Sequence, residues 1–177
     1  GPDVWMDTES NPDFIEDPTL YRAWRNQAAA EGLRVRVGRW NVPGRPTAIL
    51  VDFKQFLTRQ NEILTEFWKR FGVDSLTGNW DYRESALFGY AAGRVIESFW
   101  RFNLEPSDKV VAQFHEWMTG TGLLYLKSIE IPVATVFTTH ATVIGRCIAG
   151  NNLPLYDGIL DYNADEKARH FNVVARH

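Results

Sequence analysis

Two histidines in this chain stand where apolar runs give out, and each has a charged neighbour close behind. His115 follows Val110 to Phe114 and precedes Glu116; His140 follows Val133 to Thr139 and precedes Arg146 by six residues. Imidazole exchanges protons near neutral pH, and a fixed guanidinium suits anions. A buried strand gains nothing from a histidine at its tip. The stretch FTTHATVIGR (137–146) is therefore either a loop carrying chemistry or an accident of packing.

The elements around these residues favour the first reading. Val110 to Phe114 reads as a strand, Trp117 to Ser128 as a helix and Val133 to Thr138 as a second strand. Both strands are continuous apolar runs, the pattern of parallel strands covered by helices on both faces. Parallel strands joined by a crossover end on one edge of the sheet, and ligands of open α/β sheets bind outside that edge. His115, Glu116, His140 and Arg146 would then converge on one crevice. A packing reading stands beside this one. Glu116 opens a helix, where the dipole favours an acid whatever the function, and Thr138 or Thr139 would serve as the cap of the next helix.

The rest of the chain supplies the support. Residues 1–16 are acidic and turn-rich and read as a surface loop. Asp17-Pro18 reads as a helix start, with Leu20, Trp24 and Ala28–Ala30 inside the helix and Gly32 at its stop. Leu33 to Val42 alternates as a half-exposed strand, with Arg34, Arg36 and Arg39 as its solvated side rather than an anion site. Pro43-Gly44 is a turn, and Thr47 to Phe53 a buried strand. Phe53, Phe56, Leu57, Leu64, Phe67, Trp68 and Phe71 recur at helical spacing up to Gly72. A loop over 73–80 leads into a second long helix, Tyr82 to Phe102. Trp40, Trp68 and Trp100 are most simply core. No repeat, low-complexity tract or domain boundary interrupts the chain.

Composition narrows the function. At 177 residues, 45% hydrophobic and 14% aromatic, the chain can build one core. A net charge of −3 lacks the basic surplus of a nucleic-acid binder. Cys147 is the only cysteine, so no internal disulfide forms and a reducing, cytoplasmic compartment is expected. No run is long enough to cross a bilayer, and no signal segment opens the chain. HEWMT lacks the second histidine of a zinc-protease helix, Cys147 has no partner for a structural zinc, and no G-x-S-x-G or phosphate-binding glycine loop occurs. Gly120 and Gly122 sit in a helix and read as close-packing positions.

From Gln113 to Asn163 the sequence resembles glycogen synthases of the animal and fungal type. Phe114-His115-Glu116-Trp117 matches the F-H-E-W that ends a strand in that family, and Gly120 and Gly122 fall in its glycine-bearing helix. Pro132 to Thr142 with Gly145-Arg146 reproduces P-V-A-T-x-F-T-T-H-A-T-x-x-G-R. Gly38-Arg39-Trp40 stands where the family has a G-R-W strand. Asp81 to Tyr90 (DYRESALFGY) resembles an E-x-N-D-A-I-x-F-G helix, and Tyr156 to Glu166 (YDGILDYNADE) a Y-x-x-L-x-x-x-N-x-D-x-E segment. The likeness covers most of the chain from about Gly32 onward.

This resemblance implies an α/β fold: a partial Rossmann-like doubly wound sheet, the N-terminal lobe of a two-lobed GT-B-type retaining glycosyltransferase. Residues 1–177 would be one partial, acceptor-side domain. Glucose would pass from a nucleotide sugar, UDP-glucose or ADP-glucose, to the 4-hydroxyl at the non-reducing end of an α-1,4-glucan, with no cofactor, metal, nucleic acid or membrane involved. His140 would orient and polarise the transferred glucose, its backbone carbonyl facing developing positive charge, with Thr139 as a further substrate contact. Arg146 would face the diphosphate. His115, Glu116 and Trp117 would shape the acceptor side, or brace the loop that holds His140. The family's first strand with its K-x-G-G loop, and its donor-binding second lobe, have no counterpart in the sequence. The piece is therefore expected to be inactive alone and, with strand edges unpaired, to form a homo-oligomer. Two other readings remain: a non-catalytic glucan-binding or regulatory module of the same fold, and a related transferase with another donor or acceptor.

Overall fold

The computed structural model describes residues 13–73 and 78–172. Its elements are strand β1 (Phe14–Glu16), helix α1 (Arg22–Ala30), strands β2 (Arg34–Trp40) and β3 (Thr47–Asp52), helices α2 (Gln60–Phe71) and α3 (Trp80–Asn103), strand β4 (Val111–His115), helix α4 (Gly120–Ser128), strand β5 (Ala134–Thr138), and helices α5 (Val143–Gly150) and α6 (Ala164–Phe171). Short 3₁₀ segments at Lys54–Arg59 and Trp117–Thr119 lead into α2 and α4. The strands form two sheets: an antiparallel one in the order β1-β2-β3, and a parallel pair, β4-β5.

The β-α-β reading holds. β4 and β5 run parallel with Phe114 opposite Phe137 and His115 opposite Thr138, joined through α4. Its burial does not match the reading. Ala112 and Phe114 are buried with Leu126 and Val133, but Val111 is 64% exposed and Val136 46%. Alternation along each strand puts Val111, Gln113 and His115 on the face away from Phe114. Among the described residues that face is uncovered, because α4 covers only the other side.

The loop expected over 1–16 is corrected for its last residues; residues 1–12 lie outside those described, as do 74–77 of the loop expected at 73–80. Phe14–Glu16 pairs antiparallel with β2, Phe14 against Trp40 and Glu16 against Gly38. Phe14 is buried, and Glu16 Oε2 accepts from both Nε and Nη2 of Arg36, at 2.9 and 2.7 Å. The arginine side of β2 is thus partly ion-paired rather than simply solvated: Arg34 also meets the buried Asp52 at 2.8 Å. Asp17 does not cap a helix. Its carboxylate instead accepts from the Thr19 N–H and hydroxyl at 2.9 and 2.6 Å, closing a turn, and α1 begins only at Arg22.

The apolar spacing from Phe53 to Phe71 splits into a 3₁₀ turn and α2, and Gly72, at φ 67°, ends α2 in the left-handed conformation that glycine adopts freely. β3 is half-buried rather than buried. Trp68 is another correction: it is 55% exposed, because α2 turns only Ile63, Leu64 and Phe67 fully inward. Trp40 and Trp100 are half-buried.

α3 ties the two sheets together. Asn79 caps its start by accepting from the Tyr82 N–H at 3.0 Å. Leu87, Ala91 and Val95 belong to the core shared with α1, α2 and β2, where the Trp24 indole donates to the Ser98 hydroxyl at 3.1 Å. Ile96 and Trp100 pack on the core under β4 and β5. Gly89 on α3 and Gly122 on α4 meet with backbone against backbone, so the close-packing reading of Gly122 holds.

Candidate active site

The carboxyl ends of β4 and β5 carry the residues singled out by the sequence. His115 closes β4, and beyond it the chain turns through Glu116 at φ 63°, ψ 164°, a conformation found almost solely in glycine. This turn is held by bonds on both sides. The Glu116 N–H donates to the Thr138 carbonyl at 2.8 Å, and the Thr119 hydroxyl donates to the His115 carbonyl at 2.8 Å.

Across the pair, β5 ends at Thr138 and leads into His140. The Glu116 carboxylate accepts from the His140 backbone N–H at 2.7 Å. His115 Nδ1 lies 3.1 Å from His140 Nε2, with the two ring planes within 8° of parallel. The structure therefore brings His115, Glu116 and His140 into direct contact, from positions 24 or 25 residues apart. Both rings are exposed to solvent.

The other expected residues lie around this cluster. Thr139 is exposed, and its hydroxyl donates to the Ala141 carbonyl at 3.3 Å. The cap of α5 is Thr142, not Thr138 or Thr139: its hydroxyl accepts from the Gly145 N–H at 3.0 Å. The chain needs Thr139 to Ala141 to leave the sheet before a helix can begin. Arg146 stands in the first turns of α5, exposed, with no acidic partner among the described residues. Among the described residues no hydrogen bond joins it to the histidines.

Trp117 faces elsewhere. Its ring lies parallel to that of Tyr82, within 2° and with centroids 6.3 Å apart. Together with Phe137, Ala86 and Gly120 these rings line a largely apolar cleft of about 350 Å³. Tyr82 and Phe137 were not singled out from the sequence. Tyr82 reads there as the first residue of a helix and Phe137 as strand interior, and only the approach of α3 to the β4–α4 turn makes them neighbours. Gln113, whose side-chain amide donates to the Thr138 hydroxyl at 2.9 Å, likewise needs the strand register to be seen.

The described residues contain no group of three or more His, Cys, Asp or Glu side chains placed to hold a metal ion. None of the described helices is long and apolar enough to cross a membrane.

Comparison with known proteins bears directly on this edge. Residues 5–177 match the family model described as glycogen synthase. The glycogen [starch] synthase of Dictyostelium discoideum is 32% identical over 170 residues, covering 96% of this chain and 19% of that protein. The liver glycogen [starch] synthase of Rattus norvegicus is 30% identical over 146 residues, covering 82% of this chain and 20% of the relative. The glycogen [starch] synthase of Neurospora crassa is 31% identical over 137 residues, 77% of this chain and 19% of the relative. The chain thus spans about a fifth of the length of these relatives. The match runs through both sheets and through the histidine-bearing edge: the chain belongs to the glycogen synthase family.

Proposed function

We propose that this chain is part of the acceptor-side, N-terminal lobe of a retaining GT-B-type glycogen (starch) synthase. The whole protein would transfer glucose from UDP-glucose or ADP-glucose to the non-reducing end of an α-1,4-glucan. In that reaction the bond from the anomeric carbon to the diphosphate oxygen breaks. A bond from that carbon to the acceptor 4-hydroxyl oxygen forms, and the hydroxyl proton is released. His140 orients the transferred glucose, with Thr139 beside it, and the Arg146 guanidinium meets the charge that builds on the departing diphosphate. Trp117 lies toward the acceptor, with His115 and Glu116 between it and His140.

The observation that carries this reading is the contact of His115 and Glu116 with His140 at the carboxyl edge of the parallel strands, where ligands of such sheets bind. The test is glucose transfer by the full-length protein containing this segment. His140→Ala and Arg146→Ala are each expected to remove most of the activity, and near-normal rates in either would refute the assignment. The 177-residue chain by itself is expected to transfer nothing.

A second reading has one observation in its favour. The parallel Tyr82 and Trp117 rings beside an apolar cleft suit a glucan-binding module without catalysis. Maltoheptaose binding by this chain, together with no transfer by the full-length protein, would select that reading. We also propose self-association of the chain, which the exposed Val111 and Val136 support.

A further inference from the structure

The carboxyl edge is held more tightly than an exposed loop requires, and the restraints point at one residue. Glu116 occupies a backbone region that strains any residue carrying a side chain. In that conformation its N–H reaches the Thr138 carbonyl and its carboxylate reaches the His140 N–H. One residue of β4's exit therefore bonds the exit of β5 on both sides of Thr139. From the same exit, the His115 ring reaches the His140 ring, while the Thr119 hydroxyl anchors the His115 carbonyl.

We propose that His115 and Glu116 are positioning residues, which together hold His140 by its backbone and by its ring. The ring contact also couples the tautomers of the two rings. A single proton lies between His115 Nδ1 and His140 Nε2, because a neutral imidazole donates from one nitrogen and accepts at the other. If His115 is the donor, His140 carries its own proton on Nδ1; if His140 donates from Nε2, its Nδ1 is a bare acceptor. In both cases His140 Nδ1 is the ring nitrogen left for a ligand, and among the described residues it has no partner. An exposed imidazole without such a contact would exchange rotamers freely. The clamp removes that freedom before a sugar arrives, which is how preorganised groups gain in rate.

That His140 meets a sugar rests on the function proposed above, so the experiment has two independent arms. The first is long-range ¹H–¹⁵N NMR of the histidine rings in this chain. The tautomer ratio of His140 is expected to differ between the native chain and His115→Phe, which lacks the partner nitrogen. An unchanged ratio in His115→Phe overturns the clamp. The second arm is steady-state transfer from UDP-glucose to maltoheptaose by the full-length protein. His115→Phe is expected to lower kcat about 10- to 100-fold with KM for UDP-glucose little changed. His115→Asn, which returns a polar group near the Nδ1 position, should recover much of the loss.

Glu116→Gly separates positioning from simple support of the fold. Glycine accepts the local backbone without strain, so the thermal midpoint should stay or rise while kcat falls. An unchanged kcat overturns the positioning role of Glu116. Should the native protein transfer glucose from neither UDP-glucose nor ADP-glucose, the function reading fails, and the tautomer comparison still decides the clamp.

Discussion

The carbonyl oxygen of Gly89 lies 2.6 Å from the place a methyl group on Gly122 would occupy, so α3 and α4 touch backbone to backbone. The same methyl would stand 2.7 Å from the Phe114 ring. Neither obstacle is the end of a flexible side chain. Helix α4 could yield only by moving off α3 or off β4.

Gly122→Ala is therefore expected to destabilise the fold by about 1–3 kcal/mol, the cost of overpacking a close contact. Urea denaturation followed by circular dichroism measures it. Gly150→Ala is the control: it closes α5 with open space around it, so it should be neutral or slightly stabilising. Equal losses in both would remove the packing argument.

Tyr125 gives a pH dependence with a definite sign. Burial first, and then its hydrogen bond to the Glu97 carboxylate, push the Tyr125 hydroxyl above its ordinary value of about 10. The unfolded chain releases this proton as pH passes that value while the folded chain keeps it. The contribution is thus complete below about pH 10 and declines as pH rises further. Tyr125→Phe should flatten the alkaline decline and cost about 1.5 kcal/mol at neutral pH. Thermal melts of both proteins from pH 7 to 11 test this, and identical alkaline slopes would count against it.

Part of this architecture could be read in advance, and the reasons are local. The crossover from β4 to β5 was legible because each strand is a continuous apolar run, and Gly72 was legible because a helix stop needs its left-handed backbone. β1 was not, since three residues show no period and the burial of Phe14 depends on Trp40, distant in sequence. Asp17 misled because its oxygens serve a turn as readily as a helix. At the site, the sheet-edge rule brought His115 and His140 to one rim. The turn at Glu116 left no trace, because a glutamate in a glycine-like conformation looks like any other glutamate.

Thr142 offers a test of how α5 is held. Thr142→Ala removes the bond to the Gly145 N–H and should cost about 0.5–2 kcal/mol of local or global stability. Hydrogen exchange at Gly145 should accelerate, and Thr142→Ser should restore most of the protection. Unchanged exchange at that amide would show that packing alone fixes the helix start.

Self-association is checked by mass. Light scattering at micromolar concentration is expected to report an oligomer, and Val136→Lys, which places a charge on the uncovered sheet face, to shift it toward monomer. A monomeric mass for the native chain would overturn the proposal.

The 24-residue α3 runs roughly 36 Å. Leu87, Ala91 and Val95 serve the antiparallel side, and Ile96 and Trp100 the parallel side. A melted α3 would expose both hydrophobic walls at once, and neither sheet could keep its packing while the other lost it. The two sheets, joined by no strand pairing among the described residues, are therefore one cooperative unit. Heat should dissolve the histidine-bearing edge and the arginine-faced sheet in a single transition, at a temperature set by their combined stability.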